Sequence, residues 1–257
     1  MISPDTIRTV IGVIGNGTAL VLFLSPILMV PTHRPTFYRI WQMGSVEQYS
    51  PIPYVATLLN CMTWVLYGLP LVHPHSMLVI TINGTGMAIE LAYVTLFIVY
   101  SAGAARRRAL LLLAGELAFV AGVAVLVLTL AHTHERRSMV VGILGVLFGT
   151  GMYAAPLIVM KMVIQTKSVE YMPLSLSLAS LVNGICWTAY ALIGFDLYIT
   201  IPNGLGVLFA VAQLVLYAVY YKSTQQIMEA RKRKGDHLAM TELIVDGKPH
   251  GSGTAGH

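Results

Sequence analysis

The chain is short of charge. Only 11% of its 257 residues are Asp, Glu, Lys or Arg, under half of the roughly 25% usual in a soluble domain. With 56% of the residues apolar, this excludes a soluble globular domain, a disordered chain and a nucleic-acid binder. Cysteine is scarce as well. Cys61 and Cys186 both lie in apolar stretches, so they read as packing residues and build no disulfide framework. There is no H-E-x-x-H motif and no paired carboxylate. An intramembrane enzyme would be without its metal or acid pair, and no cofactor is expected. A basic n-region is missing before the first apolar stretch, which is also too long for a cleavable signal.

What the chain has is long apolar runs. A helix needs about 20 apolar residues to cross a bilayer. Seven runs qualify: residues 8–30, 48–70, 78–100, 110–131, 139–163, 171–193 and 197–221. The expected fold is an all-α integral membrane protein of seven transmembrane helices, with its termini on opposite sides. Placing the N-terminus outside (or lumenal) puts thirteen of the sixteen basic residues on inner segments and leaves only Arg8, Arg136 and Arg137 outside. The positive-inside rule therefore favours a cytoplasmic C-terminus. It also accounts for the net charge of +5 without nucleic acid. From residue 222 the chain turns polar and basic, then Gly-rich from Gly247. It reads as a disordered cytoplasmic tail over 222–257, whose basic cluster at 231–234 flanks the last span and could touch anionic lipid.

An internal repeat organises the spans. Ser45-Val46-Glu47 recurs as Ser168-Val169-Glu170, an offset of 123 that also pairs Leu58 with Leu181, Asn60 with Asn183, Trp64 with Trp187 and Tyr67 with Tyr190. At offset 120, Asn83-Gly84 pairs with Asn203-Gly204, Gly86 with Gly206 and Tyr100 with Tyr220. Gly17 and Pro26 match Gly149 and Pro156 more loosely. The first unit is then 8–100 and the second 139–221, with 101–138 carrying helix 4 between them. A unit of three spans would insert upside down when duplicated, and helix 4 restores its direction. The result is two parallel three-helix bundles about an axis along the membrane normal, a transporter arrangement with its site at the repeat interface.

Depth picks out a polar layer on that axis. Asn83, Asn203, Trp64 and Trp187 each lie five or six residues inside the outer end of a span, about 8–9 Å deep at about 1.5 Å per residue. An amide both donates and accepts hydrogen bonds, as a sugar hydroxyl does, and an indole face stacks on a pyranose. The plainer reading has each Asn bonding a neighbouring helix and each Trp packing; pairing by the repeat at one depth favours the site. Pro26, Pro53, Pro156 and Pro173 form a second layer near the inner ends, where each would loosen its helix as a hinge or inner gate. Asp196, in the short outer loop before span 7, could close an outer gate with Tyr67. Glu90 and Glu116 are embedded carboxylates of the rare kind. Glu90 lies on the face of Asn83, but no second embedded acid or histidine lies nearby to build a proton relay, so a structural role is expected. Asn16-Gly17-Thr18 and Asn83-Gly84-Thr85 match the glycosylation sequon, but both lie inside spans.

These motifs carry a family resemblance. Gly15-Asn16 with Pro26, Ser50-Pro51-Ile52-Pro53-Tyr54, Leu58-Leu59-Asn60-Cys61 with Tyr67-Gly68, Thr81-Ile82-Asn83-Gly84-Thr85-Gly86, Thr166 through Pro173, and Ile201-Pro202-Asn203-Gly204 together resemble the plant SWEET sugar transporters. The likeness covers nearly all of 8–222, and is greatest to cereal members of the first, hexose-associated clade. It implies bidirectional, energy-independent sugar movement by alternating access, in a multi-pass membrane protein slightly favouring the vacuolar over the plasma membrane. It implies substrate contacts at Asn83, Asn203, Trp187, Trp64 and Cys61, a hinge of Pro26, Pro53, Pro156 and Pro173, an outer gate of Tyr67 and Asp196, and homo-oligomers, commonly trimers. The chain departs from the pattern at His75, where some members carry a lysine that can pair with the acid at 196, so its outer gate is expected to be weaker or pH-dependent.

Two other readings carry different expectations. A seven-helix receptor should have paired outer cysteines and no duplication. A transporter of amino acids on the same fold should place charges near its pocket, and a sucrose or proton-coupled carrier is a nearer variant. The neutral Asn and Trp layer favours a small neutral sugar, glucose-type hexoses first.

Overall fold

A computed structural model describes residues 3–27, 36–46 and 49–246, with side chains described as far as Lys234. Its described residues form nine helices: α1 Pro4–Leu24, α2 Thr36–Met43, α3 Ile52–Gly68, α4 Met77–Tyr100, α5 Gly103–Leu130, α6 His134–Gly151, α7 Ala154–Thr166, α8 Leu174–Ile193 and α9 Leu197–Asp246. Six stretches are long and apolar enough to cross a membrane, with α6 and α7 counted as one. The seventh, α3, has 17 residues, the lower limit for a span.

Local chemistry sets the ends. Ser3 caps α1 by accepting from the Thr6 N–H at 3.2 Å, with Pro4 at the first helical position. Thr133 caps α6 through the Arg136 N–H. Pro156 explains why the fifth span is two helices. Its ring collides with the carbonyl four residues back, at Met152, where the chain turns between α6 and α7.

Three sequence expectations change. The fifth span is broken. A short helix, α2, fills part of the link between the first two spans. And the last helix does not stop near 221: it continues to Asp246, so disorder is not what residues 222–246 adopt. The segment from 222 is rich in strong helix formers, Gln, Met, Glu, Ala, Arg and Lys, and Arg231 ties it back to Glu170 at 2.9 Å. Residues 247–257 lie outside the described ones.

Around the axis, α1 packs on α4 and α8, α3 on α4 and α6, and α9 on α6, α7 and α8. The helices therefore close a ring in the order α1, α4, α3, α6, α9, α8. In both halves the third span stands between the first and the second. Helix α5 stands outside the ring against α3 and α4.

The two halves meet through glycines. A Cβ on Gly15 would come within 3.0 Å of the Trp187 indole, and one on Gly145 within 2.9 Å of the Trp64 indole. Gly12 lies likewise under Tyr190 of the other half, whereas Gly142 lies under Tyr198 of its own half. These pairs share an offset of 130, as do Pro26 and Pro156. The first and fifth spans therefore align at 130, and the looser match of Gly17 with Gly149 gives way: Gly17 faces open space and Gly149 faces Pro202. Small residues at the crossing let helices approach where lipid supplies no hydrophobic drive between them.

Candidate functional site: an axial pocket of amides and indoles

The ring encloses a cavity of about 170 Å³ lined by Asn60, Asn83, Asn183, Asn203, Trp64 and Trp187, with Ala19, Phe23, Val79, Ile82 and Ile199. The structure thus brings together Asn83, Asn203, Trp64 and Trp187, the four residues placed by depth and repeat. It adds Asn60 and Asn183, which the repeat already paired but no depth argument selected. Cys61 is corrected. Its side chain is fully buried and its sulfur packs against Gly86, one helical step away from the wall.

Hydrogen bonds fix the polarity of three amides. Asn83 Nδ2 donates to the Val79 carbonyl at 2.9 Å, and Asn203 Nδ2 to the Ile199 carbonyl at 2.8 Å. Each amide has spent a donor on its own helix and keeps its carbonyl oxygen as an acceptor. Asn60 is held the other way: its Oδ1 accepts from Trp64 Nε1 at 3.2 Å, which leaves its NH₂ group to donate. Asn183 is held from the opposite half, with Thr18 Oγ1 at 3.2 Å from its Oδ1. The wall therefore offers acceptors and donors, no charge, and two apolar ring systems.

One end of the pocket is plugged. Trp64 meets Tyr67 edge-on at 5.3 Å, and Trp187 meets Tyr190 edge-on at 5.1 Å. Beyond them, the Tyr67 hydroxyl donates to Asp196 Oδ2 at 3.0 Å. Asp196 also caps α9, its Oδ1 accepting from the N–H groups of Tyr198 and Ile199, where the helix dipole favours a negative charge. Arg8 lies over the Tyr190 ring at 4.2 Å.

The histidine at this plug is His73, which sequence reasoning missed. It stacks on Tyr67 at 4.7 Å, and its Nε2 lies 3.5 Å from Asp196 Oδ2. His75, the position singled out in the sequence, is exposed. Its backbone lies in the left-handed region, at φ 63. Ser138 Oγ donates to the Val72 carbonyl at 2.8 Å, so it accepts from His73 Nδ1 at 3.0 Å. That leaves Nε2 facing Asp196. Burial, opposed by Asp196 and supported by Arg8, holds the His73 pKa below the ordinary 6.5.

The prolines mark the opposite end. Pro53 lies in the first turn of α3 and Pro173 caps α8, positions where proline fits a helix and no intrahelical bond is lost. The loosening argued from sequence applies instead to Pro26 and Pro156. Helix α1 ends at Leu24, two residues before Pro26, and α6 ends at Gly151, five residues before Pro156, with a turn between. A fifth proline, Pro202, is internal to α9, and the Tyr153 hydroxyl donates to its carbonyl.

Comparison with known proteins places this architecture. The family model described as a sugar efflux transporter for intercellular exchange matches residues 9–105 and 139–225. The chain belongs to the SWEET family. It is 81% identical over 247 residues to the bidirectional sugar transporter SWEET4 of Oryza sativa subsp. indica, covering 96% of this chain and 93% of that one. It is 54% identical over 243 residues to the bidirectional sugar transporter SWEET7 of Arabidopsis thaliana, covering 94% and 91%. Its fold matches the 3.7 Å structure of a eukaryotic SWEET transporter with a TM-score of 0.80 at 36% identity, over 85% of this chain and 99% of that one. SWEET proteins are a transporter family rather than enzymes, and this chain is a multi-pass membrane protein.

Proposed function

We propose that this chain carries neutral sugars, glucose-type hexoses first, across a membrane in both directions and without a coupling ion. The observation that carries the reading is the axial pocket: four amides and two indoles, no charge, on the boundary between two repeats. Acceptor oxygens at Asn83 and Asn203 and the donor at Asn60 meet the mixed donor and acceptor character of vicinal hydroxyls. The indoles supply the apolar faces of a pyranose site. The names of its relatives as bidirectional sugar transporters support the same reading.

In the mechanism, the Tyr67–Asp196 bond and the tyrosine plug close one face while sugar leaves by the other. Release of that bond, with bending where α1 ends and where α6 meets α7, exposes the pocket to the first face. Tyr67 and Asp196 form the outer gate, and the prolines form the inner hinge. The orientation has the N-terminus outside or lumenal, the location is the vacuolar membrane ahead of the plasma membrane, and the assembly is a homo-oligomer, a trimer by family likeness. Proton coupling has little support, because Glu90 is buried in the first half and does not line the pocket.

The test is exchange of labelled glucose across liposomes holding the purified protein. Asn83→Ala and Asn203→Ala each remove an acceptor that faces the solute. Each should cut exchange at least about tenfold, with the protein still folded in the membrane. Native rates in both variants would contradict the pocket assignment.

A further inference from the structure

The two repeats are not equally filled. Below the amide layer, toward the proline end, the second half holds another cavity of about 150 Å³, close in volume to the axial pocket. Asn183 and Asn203 line both. Ser180 on α8 and Gln213 on α9 line the new one, and Leu22 of α1 and Pro156 of α7 are also on its wall.

The repeat register shows how the second half makes that space. At offset 123, Gly184 stands where the first half has Cys61. At offset 120, Ala210 stands for Glu90 and Gln213 for Tyr93. In the first half those positions are filled. Cys61 packs over Gly86, Glu90 is 4% exposed, and Tyr93 stacks on Phe37 at 4.4 Å. Three changes toward smaller or more polar side chains make room in the second half, where Gly184, Ala210 and Gln213 line the cavity. It is also polar. Among the described residues, neither the Ser180 hydroxyl nor the Gln213 amide has a protein partner. A void left only by loose packing would be apolar.

We propose that this cavity is a second solute site, in series with the axial pocket, that takes a neutral polyhydroxyl solute of the same hexose size on its way between the amide layer and the proline end. The site rests on the sugar-transport reading. Ser180 and Gln213 receive the hydroxyls that Asn183 and Asn203 hand over, so the solute is not desolvated in one step. The path is thereby lopsided and runs down the second half.

The test uses the full-length protein in liposomes and two variants. Gln213→Tyr installs the first repeat's own residue and fills the space. Ser180→Ala with Gln213→Leu keeps the space and removes the polar groups. Two readouts are taken: quenching of tryptophan fluorescence by glucose, which reports the axial pocket, and the rate of labelled glucose exchange. Both variants should leave the quenching titration within about twofold of native and slow exchange about tenfold, the effect of losing one or two hydrogen bonds. Unchanged exchange would overturn the second site. So would a loss of quenching that matches the loss of exchange, because that is a damaged axial pocket. Absence of exchange in the unaltered protein would instead overturn the transport reading, and the second site with it.

Discussion

At the residue scale, the plug turns on how Asp196 is shared. Its carboxylate takes the Tyr67 hydroxyl and two backbone N–H groups, while His73 stands 3.5 Å off, beyond the length of a charge-assisted bond. The groups that face His73 are Asp196, Arg8, His134 and His75, with Tyr67 stacked on its ring and Ser138 at Nδ1. Burial is the largest influence and lowers its pKa below 6.5. A site that binds its proton less tightly when closed favours closure above the ordinary value, and that contribution is lost as pH falls toward the lowered one. The closed plug should therefore loosen between neutral and mildly acidic pH. Melting of the purified protein at pH 7.5 and 5.5 checks this: His73→Gln should shrink the drop seen in the native protein. An equal drop in both would remove His73 from the pH response.

The same scale shows what a sequence can and cannot reveal. Asn83, Asn203, Trp64 and Trp187 were legible because the repeat and a count of residues fixed their depth. His73 was not, because it meets the acid through the packing of one loop on another, 3.5 Å from Asp196, which neither the repeat nor a residue count fixes. Cys61 was misplaced for a rotational reason. It neighbours Asn60 in sequence, but about 100° of helix separates adjacent residues, so one faces the axis while the other packs inside its own half.

At the element scale, the halves are held by glycine under tryptophan. Adding one methyl to Gly145 places a Cβ 2.9 Å from the rigid Trp64 ring. Overpacking of this kind costs about 1–3 kcal/mol. Gly115 on α5 has nothing within 4 Å, so the same methyl there should gain about 0.5–1 kcal/mol from helix propensity alone. Thermal melting should thus move down for Gly145→Ala and up slightly for Gly115→Ala. Equal shifts would contradict the close crossing. Helix existence was legible from apolar runs, but helix ends were not. The break before Pro156 and the extension of α9 to Asp246 follow from one carbonyl clash and from polar helix formers, signals that hydropathy does not weigh.

At the scale of the whole molecule, the ring of six spans was legible as two parallel bundles from the duplication alone. The order of helices around the ring was not, because sequence adjacency suggests that the first and second spans touch, whereas α4 stands between them. That order is what brings α1 against α8 and α3 against α6, and so places one Trp of each half on the boundary. A pocket so built holds no charge. The two carboxylates embedded in the spans, Glu90 and Glu116, are not among its lining residues.

The most direct measurement is the final distribution of labelled glucose across liposomes that hold the protein under an imposed pH gradient and, separately, a potassium potential. Downhill carriage through a neutral axial pocket predicts equal concentrations inside and out in every case, reached from either face and abolished by Asn83→Ala. Sustained accumulation on one side, following either gradient, would contradict it.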